Sequence, residues 1–184
     1  MEVIPTAIAD VRIIVPKRHG DARGYFCETW SHGAMAAAGL DLDFVQDNQS
    51  LSATPGTLRG LHFQTPPFAQ SKLVRVLRGA ILDVAVDLRR SSPGYGRHVA
   101  VELSAENGRQ LLVPKGFAHG FVTLVPDTEV FYKVDAPYAP DHDRGVRWDD
   151  PDLAIAWPLA GREPVLSAKD RAQPAFRDLP AVFA

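Results

Sequence analysis

The residues best suited to chemistry lie close together in the stretch 58–72, Leu-Arg-Gly-Leu-His-Phe-Gln-Thr-Pro-Pro-Phe-Ala-Gln-Ser-Lys, which holds Arg59, His62 and Lys72. An imidazole titrates near neutrality and can take or return a proton, while fixed cations hold developing negative charge. Apolar residues at 58, 61 and 63 predict a strand, and Thr65-Pro66-Pro67 stops it, because proline cannot donate to a ladder. In an unbroken strand, alternation sends Arg59 and His62 to opposite faces. A bulge at Gly60 would turn both inward, the geometry a joint role requires.

A second histidine stands in the run Gly108-x5-Pro114-x-Gly116-x2-His119, which reads as a strand, a tight Pro/Gly turn and a histidine at a barrel mouth. The spacing is similar to the second signature of the cupin superfamily, whose members are double-stranded β-helix barrels, although Thr123 replaces its terminal asparagine. Metal-binding cupins also carry a His-x-His pair and a glutamate. Here the matching stretch reads His62-Phe63-Gln64 with no glutamate close behind, so three converging ligands are not assembled and a metal-free barrel is expected.

The elements that must position these residues are mostly short strands. Residues 11–15 form the first, ended by Pro16, and a polar turn with two glycines follows at 19–24 before the aromatic-rich stretch 25–30. One short helix is predicted, with Ser31 as N-cap, an alanine-rich body through Ala38 and Gly39 as the stop. The run 44–50, Phe-Val-Gln-Asp-Asn-Gln-Ser, suits either an extended segment lining a cavity or a solvated strand end. Residues 72–90 read as a hairpin about Arg78-Gly79. Its second strand sets Leu82, Val84, Val86 and Leu88 on one face and Asp83, Ala85 and Asp87 on the other. Such aspartates usually meet solvent, but in a barrel the same face lines a polar pocket. Strands at 99–103, 110–113, 120–124 and 128–134 continue the series, which indicates an all-β sandwich or small barrel. A proline- and aspartate-rich tail follows, with Trp148 and Trp157 to anchor it.

At 184 residues and 46% hydrophobic, the chain suits a single domain spanning 1–184 with a sizeable core. A net charge of -2 gives no push toward nucleic acid or an anionic membrane. The lone Cys27 favours a reducing compartment, and neither a signal-peptide core nor an apolar run of bilayer length is present, so a cytoplasmic protein is expected.

Several short motifs occur in a fixed order: Gly20-Asp21-x-Arg23-Gly24-x-Phe26, Phe44-Val45-Gln46-Asp47-Asn48, Arg59-Gly60-Leu61-His62-Phe63-Gln64, Gln70-x-Lys72-Leu73-Val74-Arg75, Asp83-Val84-Ala85-Val86-Asp87-Leu88-Arg89, Leu103-Ser104-Ala105-Glu106-Asn107, Pro114-x-Gly116-Phe117-Ala118-His119-Gly120-Phe121, Tyr132-Lys133 and Leu166-Ser167-Ala168-Lys169-Asp170. Together they strongly resemble the dTDP-4-dehydrorhamnose 3,5-epimerase family, across residues 10–170. The resemblance implies an all-β cupin-type double-stranded β-helix (jelly-roll) barrel with a short N-terminal helix and a loop-rich C-terminal tail. It also implies an isomerase that needs no cofactor and acts on dTDP-4-dehydro-6-deoxyglucose, whose C4 ketone acidifies the hydrogens on C3 and C5.

By the same resemblance His62 is the base, Asp170 orients its ring, Lys72 faces the enolate oxygen and Tyr132 is the acid on the opposite face of the sugar. Arg23, Arg59 and Lys169 match diphosphate-binding positions. Glu28, Gln46, Asp47, Asn48 and His119 match further substrate contacts, and Tyr138 matches an aromatic that stacks on thymine. Asp143 stands where the family often has glutamate, one methylene shorter. The family forms homodimers in which an N-terminal segment crosses to the partner, so Arg23 and Glu28 are expected to serve the neighbouring site. A single-centre epimerase of another deoxysugar pathway stays open, as does a non-catalytic sugar-nucleotide-binding barrel. The latter is disfavoured because binding needs no paired acid and base. A metal-dependent dioxygenase is disfavoured by the missing His-x-His.

Overall fold

The computed structural model describes residues 1–184. Its strands are β1 (Glu2–Pro5), β2 (Arg12–Val15), β3 (Arg18–Asp21), β4 (Gly24–Cys27), β5 (Gln46–Ser52), β6 (Leu58–Gln64), β7 (Lys72–Arg78), β8 (Ala80–Asp87), β9 (His98–Ser104), β10 (Gln110–Val113), β11 (Phe117–Thr123), β12 (Thr128–Val134) and β13 (Asp143–Gly145). Two short α-helices join them, α1 (His32–Ala37) and α2 (Ala168–Arg171).

Two antiparallel sheets face each other as a jelly roll, the cupin-type barrel. One runs β1-β2-β10-β7-β12-β5 and the other β13-β6-β11-β8-β9, while β3 and β4 stand apart as a hairpin. The period-2 pattern explains the sandwich. Val74 and Val76 of β7, Leu111 and Val113 of β10 and Val130 of β12 meet Ile81 and Ala85 of β8, Val99, Val101 and Leu103 of β9 and Phe117 and Phe121 of β11. The backs of both sheets are covered too. The C-terminal tail lays Val146, Leu153, Phe176 and Leu179 over Leu61, Phe63, Val84 and Val86, and α1 packs Met35 on Ile14, Leu73 and Leu112.

The helix has its expected cap, with the Ser31 hydroxyl accepting from the Ala34 N–H and Gly39 at positive φ beyond the end. The predicted 72–90 hairpin does not form. β7 pairs with β10 and β12, whereas β8 pairs with β11 and β9, so the chain changes sheet at Gly79. The apolar faces of the two strands meet across the sandwich instead of lying side by side in one sheet. Gly79 sits at φ 81°, and a Cβ there would lie 2.4 Å from Thr128 Oγ1, so the corner admits only glycine. The predicted turn at 19–24 is the tip of the β3–β4 hairpin, β1 adds a strand at the N-terminal edge, and β11 begins at Phe117, earlier than expected. Tail anchoring falls less to Trp148, whose carbonyl accepts from Trp157 Nε1 at 2.8 Å, than to Leu153, Phe176 and Leu179.

Candidate active site

The bulge that would bring Arg59 and His62 together is present. Along the β6–β11 ladder His62 faces His119 and Arg59 faces Phe121, so Gly60 and Leu61 oppose Gly120 alone. Two glycines make this possible. Gly60 has φ 125°, and a Cβ on it would lie 2.6 Å from the Gly120 Cα. Leu61 and Phe63 turn to the tail side, leaving Arg59 and His62 inward.

Alternation on the neighbouring strands adds Lys72, Tyr132 and His119 from their inner faces. Together with Gln49, Ser50, Phe121, Ser167 and Asp170, these residues line a cavity of about 300 Å³. Lys72 Nζ lies 5.9 Å from the Tyr132 ring centroid. Arg59 is held at the rim by Ser52 Oγ, 3.3 Å from Nε, and by the Leu51 carbonyl.

His62 is oriented from across the fold. Its Nε2 lies 2.5 Å from Asp170 Oδ1, and the carboxylate is buried while the ring keeps 29% of its side chain open. The Ser167 hydroxyl donates to Asp170 Oδ2 at 2.7 Å and also accepts from the Asp170 N–H, so one residue caps α2 and fixes the aspartate. Burial pushes the Asp170 carboxyl up, but the hydrogen bonds from His62 and Ser167, the His62 charge and the Gly60 N–H together hold it below the usual carboxylate range. Ser167 escaped assignment in the sequence, although it sits within a motif already noted.

Lys72 is half-buried at the start of β7, and desolvation pushes its ammonium down to about 8 against the opposing pull of Asp143 and Asp83; Lys169 adds to the depression. Burial likewise pushes the Tyr132 phenol up, with Arg59 opposing, so it stays protonated at neutral pH. Asp83, left between solvent and pocket by its strand pattern, is fully buried on the inner face, with Oδ1 2.6 Å from His119 Nε2. Asp87, on the same face, is buried as well and holds Arg89 and Ser92.

Beyond the cavity a second cluster gathers Tyr138, Asp143 and Lys169. The Asp143 carboxylate accepts from the Tyr138 hydroxyl at 3.1 Å and from the Lys169 ammonium. Gln46 ties this cluster to β5: its Nε2 donates to Asn48 at 2.8 Å, and its Oε1 accepts from the Tyr138 N–H. The loop bearing Tyr138 is pinned from below by buried Gln64, which donates to the Phe68 and Pro137 carbonyls and accepts from the Ala139 N–H. Nothing in the local sequence marks Gln64 for this supporting role.

Three expected substrate contacts are brought neither to the cavity nor to the second cluster. Asp47 alternates away from Gln46 and Asn48 and pairs with Lys133 at 2.8 Å on the outer face. Arg23 sits exposed at the tip of the β3–β4 hairpin, bound to Asp21, and Glu28 is exposed just past β4. No three His, Cys, Asp or Glu side chains cluster with metal-ligand geometry.

A cupin-type barrel that gathers a carboxylate-braced histidine, a half-buried lysine and a tyrosine in one cavity holds the kinds of group that proton transfer next to a carbonyl requires. The comparisons with known proteins narrow this. The family model for dTDP-4-dehydrorhamnose 3,5-epimerase matches residues 5–178. A relative of that name from Sinorhizobium fredii is 55% identical over 177 residues, 96% of this chain and 90% of its own length. The crystal structure of the epimerase from Bacillus anthracis with TDP and PPi bound is 52% identical, with a TM-score of 0.92 over 95% of this chain and 99% of that one. The Legionella pneumophila enzyme in complex with dTDP-4-keto-L-rhamnose is 44% identical, with a TM-score of 0.93 over 98% and 95%. The chain belongs to the dTDP-4-dehydrorhamnose 3,5-epimerase family.

Proposed function

We infer that this chain epimerises dTDP-4-dehydro-6-deoxy-D-glucose at C3 and C5 to dTDP-4-dehydro-L-rhamnose by proton transfer next to the C4 ketone. The observation that carries the reading is the His62–Asp170 contact at 2.5 Å in a cavity that also holds Lys72 and Tyr132. His62 takes the proton from carbon, and the bonding electrons move onto the C4 oxygen as an enolate. Asp170 stabilises the imidazolium that forms, and the Lys72 ammonium faces the enolate oxygen. Tyr132 then gives its proton to the opposite face of the ring carbon and is reprotonated from solvent. Repetition at the second centre completes the reaction.

Arg59 and Lys169 receive the diphosphate, Gln46, Asn48 and His119 contact the substrate, and Tyr138 takes the thymine face, with Asp143 setting the positions of Tyr138 and Lys169. Arg23 and Glu28 serve the site of a second copy in a homodimer. The hairpin that carries Arg23 leaves Tyr25 and Phe26 62% and 73% exposed, surface that a partner would cover. Sedimentation of the purified chain tests that assembly: a dimer is expected, and a monomer at active concentrations contradicts it.

Turnover of the dTDP-sugar followed by NMR, without added metal, tests the reaction itself. Product inverted at both centres is expected. Inversion at one centre points to a single-centre enzyme of another deoxysugar pathway, and tight binding without turnover points to a binding barrel.

A further inference from the structure

The His119–Asp83 pair transfers no proton in the scheme above, yet its carboxylate is unusual. Asp83 is 0% exposed on the inner face of β8. Its Oδ1 accepts from His119 Nε2 at 2.6 Å, while Oδ2 is buried with no hydrogen-bond partner. A buried charged acceptor left unpaired is costly, so a nearby positive charge is needed to sustain it.

The cation placed to meet that need is Lys72, which enters the same cavity as His119 from β7 in the opposite sheet. The groups acting on its ammonium are Asp143 from β13, Lys169 from α2 and Asp83 from β8. The cavity adds Arg59 and His62 from β6, His119 from β11, Tyr132 from β12 and Asp170 from α2. Asp143 is engaged by Lys169 and Tyr138, and Asp170 by His62 and Ser167. Among the carboxylates of this set, Asp83 alone keeps a buried oxygen without a partner.

We propose that Asp83 is a positioning residue for the reaction: one oxygen fixes the His119 ring, and the other is the counter-charge that holds the Lys72 ammonium toward the enolate oxygen. The proposal rests on the epimerase reading and deepens it. Asp83 does not touch the sugar; it acts through Lys72 and His119. Asparagine at this position keeps the volume and the contact with His119 but removes the charge, and Lys72 then loses its proton more easily.

The test is Asp83→Asn, read in two ways. In protein carrying 13C-ε lysine, with the Lys72 resonance assigned through Lys72→Arg, the Lys72 titration midpoint is expected to fall by about one pH unit or more, as befits loss of a neighbouring opposite charge. In kcat/KM the basic limb moves down with it, so the deficit of the variant deepens by about tenfold between pH 6.5 and pH 9. An unmoved Lys72 midpoint, or a loss of activity equal at every pH, would assign Asp83 a merely structural role and overturn the proposal. Asp83→Ser gives the same two readouts if the asparagine variant does not fold. Failure of the unaltered protein to turn over the dTDP-sugar would instead break the epimerase reading, so the two failures are distinguishable.

Discussion

Two histidine–aspartate pairs lie side by side in this barrel, and they differ in almost everything but composition. His62 and His119 face each other on the β6–β11 ladder, each with Nε2 on a buried carboxylate, at 2.5 Å and 2.6 Å. His62 keeps 29% of its side chain open to the cavity, against 7% for His119. The partner of His62 comes from a capped turn in the tail, far along the chain. That of His119 comes from β8, the strand paired beside it in the same sheet. A base must reach its substrate and change charge during turnover, which suits the open pair. The enclosed pair suits a fixed electrostatic role. The same two residue types thus serve different ends according to burial and mounting.

His62→Ala removes the base and is expected to lower kcat by about 10⁴-fold in steady-state assays, the upper range of general-base contributions. Asp170→Asn leaves the ring in place but weakens the support for its imidazolium, with an expected loss of about 10²- to 10³-fold in kcat. His119→Asn should act differently, raising KM by about tenfold while kcat changes less, as expected for the loss of one charge-assisted hydrogen bond in a binding role. An equal fall in kcat for the two histidine variants would erase the distinction between the pairs.

Lys72 must be an ammonium to face the enolate, and burial brings it down to about 8, so kcat/KM is expected to fall as pH rises through that value. A profile flat to pH 10 would remove Lys72 from that role. The smallest expected effect is that of Ser167→Ala. Loss of the α2 cap and of the bond to Asp170 should cost about 1 kcal/mol in denaturant unfolding, with a several-fold drop in kcat.

Much of this site is visible in the sequence because strand alternation and a single bulge generate it. Gly60 between Arg59 and His62 already marks where the ladder must yield, and the fold places Gly120 opposite it. The order of motifs points to the family and hence to His62, Lys72, Tyr132 and Asp170, none of which spacing alone would have joined to the others. What stays hidden is pairing at a distance. The stretches on either side of Gly79 look like a hairpin because local pattern records which face is apolar, not which sheet receives the strand. The same limit left Asp83 ambiguous between solvent and pocket until β9 and β11 closed around it. Asp47 shows the converse, since three consecutive polar residues cannot all face one side of a strand. Arg23 and Glu28 lie at the tip and just past the end of a hairpin that stands apart from both sheets of the barrel, a placement that local pattern does not record.

The most direct test of the central claim is isotope exchange. The chain, incubated with dTDP-4-dehydro-6-deoxyglucose in heavy water without added metal, should place deuterium at both C3 and C5, and His62→Ala should abolish the label at both. Inversion without deuterium, or full labelling by the His62 variant, would contradict proton transfer through this histidine.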